Sequence, residues 1–209
     1  MLVTSLPKLQ ASPPADLSFS KVSQVRAFVL ERDAGNLLVY AATTMTPELA
    51  GDVRAQYLNH WHELAVGGPP SVHAPLHIHA ADRAAAEDTH PVDHTFDARA
   101  TLEDDFELIP IPGHTPGATA FLWDSGEHRM LFTGDSLYLR DGEWIVAVLE
   151  DSDRESYIES LGLIAELDFD VLVPWAAGKD GPYYALTDRA DTRRRIDAIL
   201  ESLARGEGK

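Results

Sequence analysis

The sequence predicts an α+β protein in which two β-sheets pack face to face with helices outside. Two observations carry this. Strand-like runs are followed by a helix, then by a second β-rich stretch and further helices, and 44% of the 209 residues are hydrophobic, enough for a sizeable core. A third observation, the absence of any repeat of fixed period, sets solenoids and propellers aside. Residues 1–20, with Pro7, Pro13 and Pro14, are expected to form an irregular lead-in, and 21–209 a single domain.

The elements follow in order. Val22–Leu30 and Asn36–Ala42 are strand-like and meet at Asp33-Ala34-Gly35, a hairpin turn with glycine. Thr46-Pro47-Glu48 combines a hydroxyl cap, proline at the first helical position and an acid in the first turn, predicting a helix toward Arg54. An extended piece around Tyr57–Asn59 leads to His60-Trp61-His62, and Gly67-Gly68-Pro69-Pro70 is a break. Ala74–His79 reads as a strand, Ala81–Glu87 as a short helix and residues 88–98 as a polar loop. Phe106–Ile111, Ala118–Trp123, Arg129–Thr133 and Trp144–Leu149 read as strands between Pro/Gly punctuation. Ser152-Asp153-Arg154-Glu155 resembles a capping box, and Ile158, Leu161, Ile164 and Ala165 share a helical face. Val171–Val173 is a short buried strand, and a last helix from Asp188 is expected to bury Ile196, Ile199, Leu200 and Leu203.

Composition narrows the chemistry. Lys and Arg number 17 against 34 Asp and Glu, a net charge of −17. Such a surface repels phosphate backbones and anionic lipid, so the expected partner is a small-molecule substrate, with no nucleic acid and no membrane. No run is long and apolar enough for a signal peptide or a membrane span, and a cytoplasmic location is expected. The chain has no cysteine, which excludes disulfides, thiolate nucleophiles and cysteine-ligated metals. Any metal must be held by His, Asp, Glu or backbone.

Nine histidines are present. His60 and His62 alternate, so two imidazoles can converge on one ion, although a pair of half-buried histidines has the same pattern. His114 lies in Pro112-Gly113-His114-Thr115-Pro116-Gly117, a rigid turn between two strands that suits a preorganised ligand. Asp135, in Thr133-Gly134-Asp135-Ser136, follows a strand and is either a turn-former or a carboxylate delivered to a site. His73, His77 and His79, near Asp82, read as structural or surface groups, and His90, His94 and His128 as exposed.

Together, Tyr57-Leu58-Asn59-His60-Trp61-His62 with Gly67-Gly68, the PGHTPG turn at His114, Thr-Gly-Asp135 with Ser136-Leu137, and Val171-Leu172-Val173-Pro174 resemble the metallo-β-lactamase superfamily. The resemblance spans residues 22–178. It implies a four-layer αββα sandwich with a metal site at one edge between the sheets. It also implies that His60, His62 and His114 hold a first metal, with Asp135 as the bridging acid.

The departures fall on one side of that centre. The family's HxHxDH motif here reads His60-Trp61-His62-Glu63-Leu64-Ala65, so Leu64 and Ala65 replace an acid and a histidine. The last histidine is absent from Pro174-Trp175-Ala176-Ala177-Gly178, and Leu38-Val39-Tyr40-Ala41-Ala42 lacks an early acid. All three ligands particular to the second metal are missing, so a dinuclear centre is not expected. The leading expectation is a hydrolase of an ester, lactone or thioester, with one divalent metal, zinc before iron, on His60, His62 and His114. Asp135 would support the metal or its water, and Glu63 would be a substitute acid. Two alternatives stand beside it: a non-catalytic binding protein without metal, and an iron dioxygenase using His60, His114 and Asp135. Trp61, Tyr138, Trp144, Trp175 and Tyr183-Tyr184 are candidate pocket aromatics, with Trp175 expected to fill the space of the second metal.

Overall fold

Alternation along the strands fixes the layers. In the computed structural model, which describes residues 6–68 and 71–205, Leu108, Phe121 and Val173 face one core while Ile109, Leu122 and Leu172 face another. The first core lies between two six-stranded sheets. One sheet orders Leu9–Ala11, Phe28–Leu30, Asn36–Val39, Val53–Tyr57, Leu76–His79 and His94–Phe96 side by side. The other orders Ala185–Leu186, Val171–Val173, Arg129–Phe132, Thr119–Asp124, Phe106–Pro110 and Ala100–Leu102. Phe28, Tyr40 and Tyr57 on one side meet Phe106, Phe121 and Phe132 on the other.

Helices cover the outer faces. Arg154–Glu166 and Arg189–Ala204 bury Tyr157, Leu161, Ile164, Ile196 and Leu203 against the second sheet. Leu64 from the helix His62–Gly67 and Ala86 from Arg83–Glu87 pack on Leu58, Leu76 and Ile78 of the first. The result is the αββα arrangement. A third sheet of Glu143–Ile145, Tyr138–Arg140, Ala176–Gly178, Ser23–Val25 and Ala15–Asp16 lies beside the site described below. Among the described residues no helix is long and apolar enough to cross a membrane.

The structure corrects several expectations. The lead-in is not irregular throughout: Leu9–Ala11 pairs with Phe28–Leu30, and Ala15–Asp16 pairs with Ser23–Val25. Leu6, Leu9, Ala15 and Leu17 are core residues, which holds this segment down despite its prolines. Val22–Leu30 is split between two sheets, and the polar stretch 88–98 contains the strand His94–Phe96. The helix at Pro47 stops at Ala50, where Gly51 takes φ 60°. The later helix is capped by Asp153, not Ser152, and its buried face begins at Tyr157, leaving Ile158 exposed. Ile199 and Leu200 of the last helix are only partly buried. The hairpin at Gly35 is as expected, with φ +100° at that glycine. The expected break at Pro69-Pro70 lies outside the described residues.

Candidate metal centre

The strand Val53–Tyr57 runs straight into the site, with only Leu58 and Asn59 between it and His60, and the next helix starts at His62. Asn59 ties this exit to the opposite sheet. Its backbone carbonyl accepts from Thr119 N at 2.9 Å, and its side-chain amide donates to Thr119 O. The same amide oxygen faces His60 Nδ1 at 3.0 Å, which places the proton on Nδ1 and leaves Nε2 with a lone pair. His60 Nε2 is buried and has no hydrogen-bond partner among the described residues.

His114 is prepared in the same way. Its Nδ1 lies 2.7 Å from Ala147 O, an acceptor only, so Nδ1 donates and Nε2 carries the lone pair. That Nε2 is 3.1 Å from His62 Nδ1. One nitrogen from each of His60, His62 and His114 lies within 4.8 Å of the other two. Burial and the neighbouring imidazoles hold His60 well below the usual histidine range, burial lowers His62, and burial takes His114 down to about 4. The three rings are therefore neutral at pH 7, the state a metal ligand requires.

Asp135 stands at the edge of this group, with Oδ2 3.9 Å from His60 Nε2. Its Oδ1 is buried without a partner, and burial raises the carboxyl to about 7. Its loop is fixed by close approach. Gly134 has φ +58°, and a Cβ there would lie 2.0 Å from Asn59 Oδ1. Gly134 N donates to the Tyr40 hydroxyl at 2.9 Å, and that hydroxyl donates to Val173 O at 2.8 Å. Tyr40 thus crosses between the sheets at the place where an early acid was missed.

The sequence reading overlooked Asp82 as a site residue. Its carboxylate is buried and accepts from Trp61 N at 3.1 Å, Thr115 Oγ1 at 2.7 Å and Gly117 N at 2.7 Å. One acid thereby joins the His60–His62 segment to the His114 turn, and a Cβ at Gly117 would strike it at 2.6 Å. The available signal was an acid preceding a helix in a segment otherwise rich in alanine. The helix Arg154–Glu166 braces the other side: Asp153 N donates to Gly113 O, Ser160 Oγ to Pro112 O, and Tyr157 OH to Ser136 O.

Glu63 has a different place from the one expected of a substitute acid. It is fully buried, accepts from Ala41 N and Asn59 N at 2.9 and 2.7 Å, and also from His60 N at 3.3 Å. It braces the chain behind His60 and does not line the cavity. Leu64 is buried among Leu58, Leu76 and Ile78, and Ala65 is exposed. Trp175 is buried edge-on to His60, 5.6 Å between ring centroids, and donates from Nε1 to Ala41 O at 2.8 Å. A Cβ on Gly67 would meet the indole Cζ2 at 2.8 Å. The indole therefore packs between His60 and Gly67, and it also lines the cavity that holds His62, His114 and Asp135. Of the other candidate aromatics, Tyr138 lines the cavity, Trp144 lies in the helix-side core, and Tyr183 and Tyr184 pack away from the site. His77 stacks on Tyr57 and lies 4.7 Å from His94, outside the three-histidine group.

The donor set fits one divalent cation: three neutral nitrogens converge, one of them a buried lone pair with no other use, and an unpartnered carboxylate oxygen stands alongside. The family model of the metallo-beta-lactamase superfamily matches residues 34–176. That span is more than half of the chain, and the chain belongs to this superfamily. Solved structures share the fold. A metallo-beta-lactamase from Pontibacter korlensis is 16% identical, with 96% of each chain covered and a TM-score of 0.69. FIM-1 from Pseudomonas aeruginosa, in its mono-zinc form, is 15% identical, with 94% of each chain covered and a TM-score of 0.69. An archaeal superfamily protein from Sulfolobus tokodaii is 17% identical, with 94% of this chain and 87% of that chain covered and a TM-score of 0.63. No curated protein matches the sequence.

Proposed function

We propose that the protein is a hydrolase of esters, lactones or thioesters that uses one divalent metal, zinc, held by His60 Nε2, His62 Nδ1 and His114 Nε2. The observation that supports this reading is that one nitrogen of each of the three rings lies within 4.8 Å of the other two, with the tautomers of His60 and His114 set by Asn59 Oδ1 and Ala147 O. Participation of His62 favours a three-nitrogen set over a triad of two histidines and a carboxylate. A zinc ion bound there lowers the pKa of a bound water toward ~7 and polarises a carbonyl.

The chain's own groups supply the rest. In hydrolysis a water oxygen bonds to the carbonyl carbon, the acyl–oxygen or acyl–sulfur bond breaks, and the alcohol or thiol leaves with a proton. Asp135, beside His60 and with one oxygen unpartnered, accepts the water's proton and passes it to the leaving group. Asp82 and Asn59 hold the histidines in place, and Trp175 keeps water from the far side of His60. The metal-loaded protein should hydrolyse p-nitrophenyl acetate or a simple lactone. Asp135→Asn should lower kcat by about 100-fold or more while zinc is retained. Failure of the zinc-loaded protein to turn over any ester, lactone or thioester would overturn the reading.

A further inference from the structure

The three histidines are held by hydrogen bonds to their rings or to the backbone beside them, but the Asp135 carboxylate is not. Its Oδ1 is buried with no hydrogen-bond partner among the described residues, and its Oδ2 lies 3.9 Å from His60 Nε2. Where the carboxylate stands is therefore decided by the backbone of residues 133–136. Gly134, directly before it, is gripped at both ends of its backbone. Its N–H donates to the Tyr40 hydroxyl at 2.9 Å, and its carbonyl accepts from Trp175 N at 3.3 Å. On the other face a Cβ would lie 2.0 Å from Asn59 Oδ1, the atom that orients His60. Gly134 is thus wedged between the group that sets His60 and the tip of Tyr40.

Tyr40 is fixed at its root as firmly as at its tip. Its N–H donates to Tyr57 O at 2.9 Å, its carbonyl accepts from Gln56 Nε2 at 2.8 Å, and Ala41 N donates to Glu63 at 2.9 Å. These bonds hold Tyr40 at φ +69°, a left-handed conformation that a bulky side chain rarely adopts. The ring is fully buried and lies edge-on to Phe28 and Phe132, 6.0 Å from each. It starts at the end of Asn36–Val39 in the first sheet and delivers its hydroxyl to Val173 O and Gly134 N of the second. Two ties therefore cross between the sheets beside the metal centre. Asn59 to Thr119 serves the His60 side, and Tyr40 to Gly134 serves the Asp135 side.

We propose that Tyr40 is a positioning residue for Asp135, a strut whose hydroxyl sets how far the carboxylate stands from His60. The proposal rests on the hydrolase reading for what Asp135 does, and on the hydrogen bonds for where it stands. A phenylalanine would fill the same space between Phe28 and Phe132, so packing alone does not call for the hydroxyl. Its loss would leave a buried donor and a buried acceptor free to pull the Gly134 peptide toward other partners.

The test is Tyr40→Phe, alone and combined with Asp135→Asn. In the metal-free single variant the Gly134 amide, followed by NMR, should exchange with solvent about tenfold faster or more. The zinc-loaded variant should keep one zinc per chain and a KM for p-nitrophenyl acetate within about twofold of the parent. Its kcat should fall by about tenfold or more, since small displacements of a reacting group cost that much. Added to Asp135→Asn, the same change should cost less than about twofold, because the group it positions is gone. An equal loss in both backgrounds, an unchanged kcat, or a loss of zinc would each overturn the proposal and leave the hydrolase reading standing. Should Tyr40→Phe fail to fold, Tyr40→p-aminophenylalanine keeps a donor for Val173 O and offers Gly134 N a poorer acceptor. The same pattern is then expected with a smaller loss of kcat, and equal losses in both backgrounds would overturn the proposal. If the wild-type protein turns over no ester, the hydrolase reading falls and the visible spectrum of the cobalt-loaded protein decides. Tyr40→Phe and Asp135→Asn should alter that spectrum alike, with the double variant showing no further change. A spectrum that Tyr40→Phe leaves untouched would overturn the proposal.

Discussion

His60, His62 and His114 share one centre with Leu64, Ala65 and Ala176, yet the two groups of positions are built on different principles. Around the histidines every orienting atom is polar and directed: Asn59 Oδ1, Ala147 O and the Asp82 carboxylate each fix a ring or the backbone that carries it. Around Leu64 the space is filled by hydrocarbon, Ala65 is exposed, and Ala176 lines the cavity. Leu64 is part of an apolar cluster, and the Trp175 indole lies against Gly67 and His60. The two groups therefore differ in how their surroundings are built, one with directed polar supports and the other without, and that comparison can be broken at several points.

The largest effect should come from His114→Ala, which leaves two nitrogens and should weaken zinc binding by more than the ~10–100-fold typical of losing a supporting group. Retention of one tightly held zinc would refute the assignment. Next, Leu64→Asp combined with Ala65→His and Ala176→His restores the missing ligand types. The side without polar supports predicts that metal content stays at one per chain and that stability falls by about 3–5 kcal/mol, the range for an uncompensated buried charge. Two metals per chain by elemental analysis would show that the second site is still preorganised.

Asp82→Ala should strand three donors and cost about 1–3 kcal/mol or more in denaturant unfolding, while weakening zinc about 10–100-fold in a competition titration. An unchanged zinc affinity would reduce Asp82 to a structural role. Trp175→Phe removes the part of the indole that packs on Gly67 and leaves Ala41 O without its donor, for a loss of about 1–3 kcal/mol or more and no gain in metal.

The smallest effect separates the metal-site histidines from the others in acid. Burial, with His94 beside it, lowers His77 to about 4 from 6.5. A depressed histidine means that the unfolded chain binds more protons between those values. His77 therefore contributes stability above pH 6.5 that is lost as the pH falls toward 4. His77→Phe should flatten part of the acid limb of the unfolding curve without altering zinc content. A change in zinc content would draw His77 into the centre.

The sequence carried the layers through period-two alternation in the strands, and the three histidines through a resemblance resting on two short local motifs, the His60-Trp61-His62 pair and the Pro/Gly turn at His114. It did not carry the pairing of Leu9–Ala11 and Ala15–Asp16, because proline-rich flanks conceal short strands whose stability comes from distant partners. Glu63 shows the limit most clearly. A glutamate beside two histidines has the right chemistry for a catalytic acid, but only the tertiary structure places its oxygens on Ala41 N and Asn59 N. Asp82 was obscured for the same reason, since its three partners lie 21 to 35 residues away.

The central claim is a single metal site of three nitrogens, and the direct measurement is zinc titration of metal-free, untagged protein with content per chain read by elemental analysis. One zinc per chain, lost on His114→Ala, is the predicted result. No zinc after saturation, or two per chain in the unmodified protein, would contradict it.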